Sequence, residues 1–158
     1  MPAGTVSEDH FSKIRSLFDR GVCARGMKPL KDGIEIALII DDKGPITLTK
    51  QGGKPSIVGK TPYSADLTFW IPAKALDELL SQSTEDVGEI GVAILKLMAH
   101  TDPEIKIRCK VHVGLFEFLR SGYLGVLPLG GTTVMKYLAS RGFDGIGKIR
   151  EAISKLRN

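Results

Sequence analysis

The chain has 158 residues, 42% of them hydrophobic and 25% charged, with a formal net charge of +4. A chain of this length hides roughly 68–70% of its unfolded surface, so its core needs no metal or disulfide. The two cysteines, Cys23 and Cys109, form no closely spaced framework, and the longest apolar runs are broken by Lys96 or by glycines, short of the ~20 residues of a membrane span.

The opening "MPAGTVSEDHF" has no basic-then-apolar leader, so a cytoplasmic location is expected. In "TVSEDHFSKIRSLFDRG", Thr5 and Glu8 have capping-box spacing, Phe11, Ile14, Leu17 and Phe18 share a helical face, and Gly21 ends the helix. "CARGMKPLKDG" reads as a polar connector. In "IEIALIID", Ile34, Ile36, Leu38 and Ile40 lie on one face of a strand. "DDKG" and "QGGK" supply hairpin turns around "PITLTK", "PSIVGK" is a third strand, and "ADLTFWI" a fourth. Connections this short predict antiparallel neighbours, because a parallel pair needs a crossover of a dozen residues or more.

With almost no loop, Pro72 opens a helix carrying Leu76, Leu79 and Leu80. "STEDVGEIGVAILKLMAHTDP" follows, with Ser83 and Asp86 as caps, Val87, Ile90, Ile94, Leu97 and Met98 as its apolar face, and Pro103 as its stop. "EIKIRCKVHV" alternates: Ile105, Ile107, Cys109, Val111 and Val113 point inward, and Lys106, Arg108, Lys110 and His112 outward. The parity flips at Gly114, where a bulge or a bend would explain why Phe116 and Phe118 are now the apolar residues. "RSGYLGVLPLGG" is apolar and punctuated by glycine. "TTVMKYLASRG" predicts a helix capped at Thr132 or Thr133, and "GIGKIREAISKLRN" one with Ile146, Ile149, Ile153 and Leu156 on one face. The fold class is α+β: a mainly antiparallel five-stranded sheet with helices packed on one face.

No catalytic site, metal site or cofactor motif emerges. His10, His100 and His112 have no metal-ligand spacing with the cysteines, no serine sits in a nucleophile elbow, and "LGGTT" lacks the lysine of a phosphate loop. His100 near Asp102 reads first as a helix end. The basic strand face (Lys106, Arg108, Lys110, His112) has no interleaved aromatics, so nucleic acid is not expected as a partner. It reads as a wet sheet face, or alternatively as a docking surface for a protein or an anionic membrane, together with the amphipathic C-terminal helix. Trp70 on the polar parity of its strand, Phe116, Phe118 and "GYLGVLPLGG" fit an ordinary core or the wall of a cavity, and pattern alone favours the core.

The three-strand meander, the strand Ala65-Asp66-Leu67-Thr68-Phe69 and the following "LDELL" helix resemble the sterol carrier protein type 2 family, within the sterol-binding domain superfamily. The likeness spans residues 8–115, and "EIKIRCKVHV" is similar to the family's last strand. Beyond it, residues 116–158 depart from the family as a divergent lid and a basic C-terminal helix. The resemblance implies a single domain over 1–158 with an apolar cavity between sheet and helices. It implies non-enzymatic, cofactor-free binding or transfer of a sterol, fatty acyl chain or isoprenoid or quinone-type lipid, with transient contact to a membrane or protein. On that reading the ligand-binding residues are Leu67, Phe69, Trp70, Ile71, Leu76, Leu80, Ile94, Met98, Phe116, Phe118, Tyr123 and Leu127.

Overall fold

Strand alternation and two tight turns dictate the first half of the molecule. The computed structural model describes residues 4–143 and 146–157, and for residues 127, 128, 132 and 146 the backbone alone. Helix α1 (Glu8–Phe18) is capped by Ser7, whose Oγ accepts from the His10 N–H at 3.1 Å, rather than through a Thr5–Glu8 box. The expected polar connector contains a short helix α2 (Gly21–Gly26), because Val22, Cys23 and Met27 are buried on one side of it.

Strands β1 (Glu35–Ile40), β2 (Lys43–Gln51), β3 (Lys54–Val58), β4 (Leu67–Ile71) and β5 (Arg108–Val111) form one sheet in the order β3-β2-β1-β4-β5. Asp41 and Asp42 take φ of 50° and 62° in the first hairpin, and Gly52 and Gly53 take 58° and 79° in the second, the left-handed pairs that fit the strand twist. The sheet is mixed rather than mainly antiparallel, for β1 and β4 run parallel at its centre. The short-connection argument holds between consecutive strands, but β1 and β4 are not consecutive. The β2–β3 hairpin and residues 59–66 together make the crossover. That return segment lies against the outer face of the sheet. Thr47 Oγ1 donates to the Lys60 carbonyl at 2.6 Å, and the Glu35 carboxylate accepts from the N–H groups of Tyr63 and Ser64.

Register sets the inner face. Ile36 lies opposite Leu48 and Leu67, Leu38 opposite Ile46 and Phe69, and Leu67 opposite Val111. Helices α1 and α2 meet the sheet at β3, and α3 (Ala73–Ser81) packs on both α1 and α4 (Val87–Met98). Ile14, Val22, Leu38, Ile40 and Leu76 are fully buried in one continuous apolar cluster. Asp86 caps α4 by accepting from the N–H groups of Gly88 and Glu89. Lys50 shares the inward parity of Ile46 and Leu48 and is buried, with its ammonium donating to the carbonyls of Lys28 and Leu30 at 2.8 and 2.6 Å. A buried cation held this way staples the loop after α2 to the sheet, since leaving it unpaired is costly.

The last strand is shorter than its alternation suggested. Ile105 and Lys106 donate to the Asp102 carbonyl, so the chain turns there and β5 starts at Arg108. At Gly114 there is a bend rather than a bulge: the strand has ended at Val111, the chain bends at Val113, and helix α5 (Leu115–Arg120) begins. Positions 116 and 118 lie far apart around a helix, which explains why Phe118 is buried and Phe116 is 72% exposed. A 3-10 turn (Tyr123–Gly125), α6 (Val126–Leu129), α7 (Gly131–Ser140) and α8 (Ile146–Arg157) complete the chain. Helix α7 starts after Gly130 with no side-chain cap, in place of the threonine cap expected, and the side chain of Thr132 lies outside the described residues. Gly122 has φ of 93°, and the space a Cβ would need there is taken by the backbone of Pro29 and Leu30.

Candidate functional site

Four helices and one turn enclose an apolar groove of about 500 Å³. Leu95, Met98 and Ala99 come from the end of α4, Phe118 from α5, and Tyr123 and Leu124 from the 3-10 turn. Tyr137 and Leu138 come from α7, and Ile149, Ala152, Ile153 and Leu156 from α8. Arg141 and Phe143 close it from the segment between α7 and α8. The stripe on α8 follows from i, i+4, i+7 spacing, which aligns Ile149, Ile153 and Leu156 on one face. No strand residue lines this groove: it lies among helices, whereas the inner face of the sheet is covered by the packed core.

Two contacts stiffen one wall. The Phe118 and Tyr123 rings stack with centroids 4.8 Å apart, and the Tyr123 hydroxyl donates to Asp66 Oδ2 at 2.9 Å. Burial, with the Asp66 carboxylate beside it, raises the Tyr123 hydroxyl well above its usual range. Burial likewise raises the Asp66 carboxyl, against the lowering effect of the Tyr123 hydrogen bond and with a further upward push from Glu117 and Glu35. Asp66, singled out in the sequence for the "ADLTF" likeness, therefore anchors the turn that borders the groove.

The opposite wall has open polar valences. The Arg141 guanidinium lies 5.5 Å above the centroid of the Tyr137 ring. The Tyr137 hydroxyl is buried and has no hydrogen-bond partner among the described residues.

The structure distributes the predicted site residues widely. Met98, Phe118 and Tyr123 line the groove. Leu67, Ile71 and Leu76 are buried in the core, and Phe69, Leu80 and Ile94 are half-buried against it. Trp70 sits on the outer face of the sheet, with the Arg108 guanidinium 5.1 Å from its ring centroid, in a charged cleft with Asp41, Asp42, Lys74 and Glu104. Its polar parity was the true signal there. Phe116 faces solvent, and the Leu127 side chain lies outside the described residues. Sequence reasoning missed Leu95, Leu124, Tyr137, Arg141 and Phe143 as groove residues. The apolar stripe of α8 was visible, but nothing in the pattern said which partner helices it would meet.

Other candidate chemistry resolves into local structure. His100 Nδ1 accepts from the backbone N–H of Asp102, while the Asp102 carboxylate accepts from Glu104 N–H, so the two side chains form a turn and not a proton-transfer pair. His112 Nε2 meets Thr68 Oγ1 at 2.7 Å on the outer sheet face. Among the described residues, no group of three or more His, Cys, Asp or Glu could hold a metal ion. Among them, no helix is long and apolar enough to cross a membrane. Ile149 and Ile153 of α8 are buried and Leu156 is half-buried.

Comparison with known proteins gives one faint likeness. The chain is similar to a solved structure described as "UbiJ-SCP2 Ubiquinone synthesis protein", with a TM-score of 0.39 and 13% identity, over 77% of this chain and 95% of that one. No family model matches the chain. No curated protein matches it either. A superposition this loose decides nothing about function.

Proposed function

We propose that the protein binds a hydrophobic small molecule or lipid in the groove between α4, α5, α7 and α8, without catalysis, as a single-domain carrier in the cytoplasm. The observation that carries this reading is the groove's lining, which is apolar apart from two tyrosines and one arginine. The charged clefts elsewhere on the molecule have no comparable surface. Its volume of about 500 Å³ falls within the roughly 300–1,000 Å³ of small-molecule sites. The sequence resemblance to sterol carriers supports the same class of guest: a sterol, a fatty acyl chain or an isoprenoid lipid.

The expected affinity suits a carrier. At about 0.3 kcal/mol per heavy atom, a ligand of ~20 atoms binds with about 6 kcal/mol, or roughly tens of micromolar. Mass spectrometry of lipids released by denaturing the purified protein, with displacement of a fluorescent fatty acid, tests the reading. Copurified lipid and saturable displacement are expected, and Ala152→Phe, which fills the groove, abolishes displacement. Absence of both copurified lipid and displacement refutes the proposal. The lone tryptophan, Trp70, lies outside the groove, so its emission stays constant on binding.

A further inference from the structure

We infer that the groove selects a single-chain ligand with a carboxylate head and that Arg141 is the residue that reads the head. The inference rests on the groove being a ligand site and adds the chemical class of its guest.

Arg141 is the charged residue among the described residues of an otherwise apolar lining. Among the described residues no carboxylate pairs with it, and its contact is with the face of the Tyr137 ring. Stacking uses the flat side of a guanidinium and leaves its rim of N–H donors open. The two hydroxyls at the groove differ in the same way. Tyr123 is committed to Asp66, whereas Tyr137 is half-buried and its buried hydroxyl oxygen has no partner among the described residues. One wall of the groove is thus satisfied within the protein, and the other presents donors without acceptors.

An unmatched cation beside an apolar groove is the complement of an amphiphile. A guanidinium is always charged, carries five donors and no acceptor, and pairs best with two oxygens held in a plane. A sterol hydroxyl or a quinone carbonyl offers one neutral acceptor and leaves the charge uncompensated. A carboxylate answers both charge and geometry, and its second oxygen is free to accept from Tyr137 once the head is seated. A groove of about 500 Å³ is of drug-sized dimensions and too small for a two-chain phospholipid.

Calorimetric titration of the full chain with dodecanoic acid and with dodecanol, matched in tail and different in head, tests this. The acid is expected to bind about two- to fivefold more tightly than the alcohol, a modest ratio because Arg141 is exposed and screened. In Arg141→Met, which keeps an unbranched apolar stem and removes the charge, that ratio falls to about one, with circular dichroism checking that the fold persists. Equal binding of acid and alcohol by the unaltered protein overturns the head-group inference and leaves the groove reading standing. A preference for acid that survives in Arg141→Met overturns the assignment to Arg141. Binding of neither probe overturns the groove reading and this inference with it.

Discussion

Gly122→Ala probes how the C-terminal helices are fixed to the sheet half of the molecule. Gly122 holds a φ of 93°, and a Cβ there would strike the Pro29 carbonyl and come within 3.3 Å of Leu30 Cα, all backbone atoms that cannot rotate away. Placing an L side chain in left-handed backbone costs roughly 1–2 kcal/mol, while stiffening the unfolded chain returns roughly 0.4–1 kcal/mol. Overpacking against backbone adds about 1–3 kcal/mol, so a net loss of about 2–4 kcal/mol is expected. Gly52 is the matched control, with φ of 58° and nothing within 4 Å of its Cβ position. Gly52→Ala carries the conformational cost alone, about 0.5–1 kcal/mol after the same unfolded-state correction. Urea unfolding followed by circular dichroism, extrapolated to water, compares the two. Because Tyr123 follows Gly122 and stacks on Phe118, Gly122→Ala should also weaken displacement of a fluorescent fatty acid. Equal stability losses in the two variants would refute the close approach at Pro29.

The Asp66 carboxyl is raised chiefly by burial, so its contribution to stability is present at acid pH and lost as pH rises through its folded-state value. Asp66→Asn keeps an acceptor for Tyr123 and is expected to be more stable than the unaltered protein near neutral pH by about 0.3–1 kcal/mol, discounted for partial exposure. The advantage should vanish below the usual carboxylate range, and a pH-independent difference in urea midpoints would contradict this. Lys50→Ala strands the Lys28 and Leu30 carbonyls and should cost about 2–5 kcal/mol in urea unfolding; a loss under 1 kcal/mol would show that water replaces the ammonium. Burial pushes the Cys109 thiol up to about 12 and raises Cys23 as well. Neither buried Cys23 nor half-buried Cys109 should react quickly with an aromatic disulfide reagent at mildly alkaline pH until urea unfolds the chain, so fast labelling of the native protein would refute the raised thiols.

Period-two alternation made the strands readable, because one face of a sheet must be apolar while the other need not be. Ile36, Leu38 and Ile40 went where their parity sent them. Strand direction was not readable in the same way. The parallel placement of β4 beside β1 depends on where the chain travels after β3, which no local pattern encodes. At Gly114 a parity argument failed because Phe116 and Phe118 fit an alternating strand on paper, whereas the chain had already begun a helix. The groove was the least legible feature. Met98 was reachable from the apolar face of its helix, and Phe118 and Tyr123 as apolar residues near glycines. Arg141 and Tyr137 gain meaning only from the packing of α7 against its neighbours, a long-range fact without a local signature.

The insertion of β4 between β1 and β5 decides which strands are left at the rims of the sheet. These are β3, beginning with Lys54 and Pro55, and the four-residue β5, whose Arg108 and Lys110 project outward. Proline offers no N–H to an incoming strand, and a short, cationic border repels its own image. Copies of the chain are thereby discouraged from zipping together into ribbons, even when crowded at high concentration.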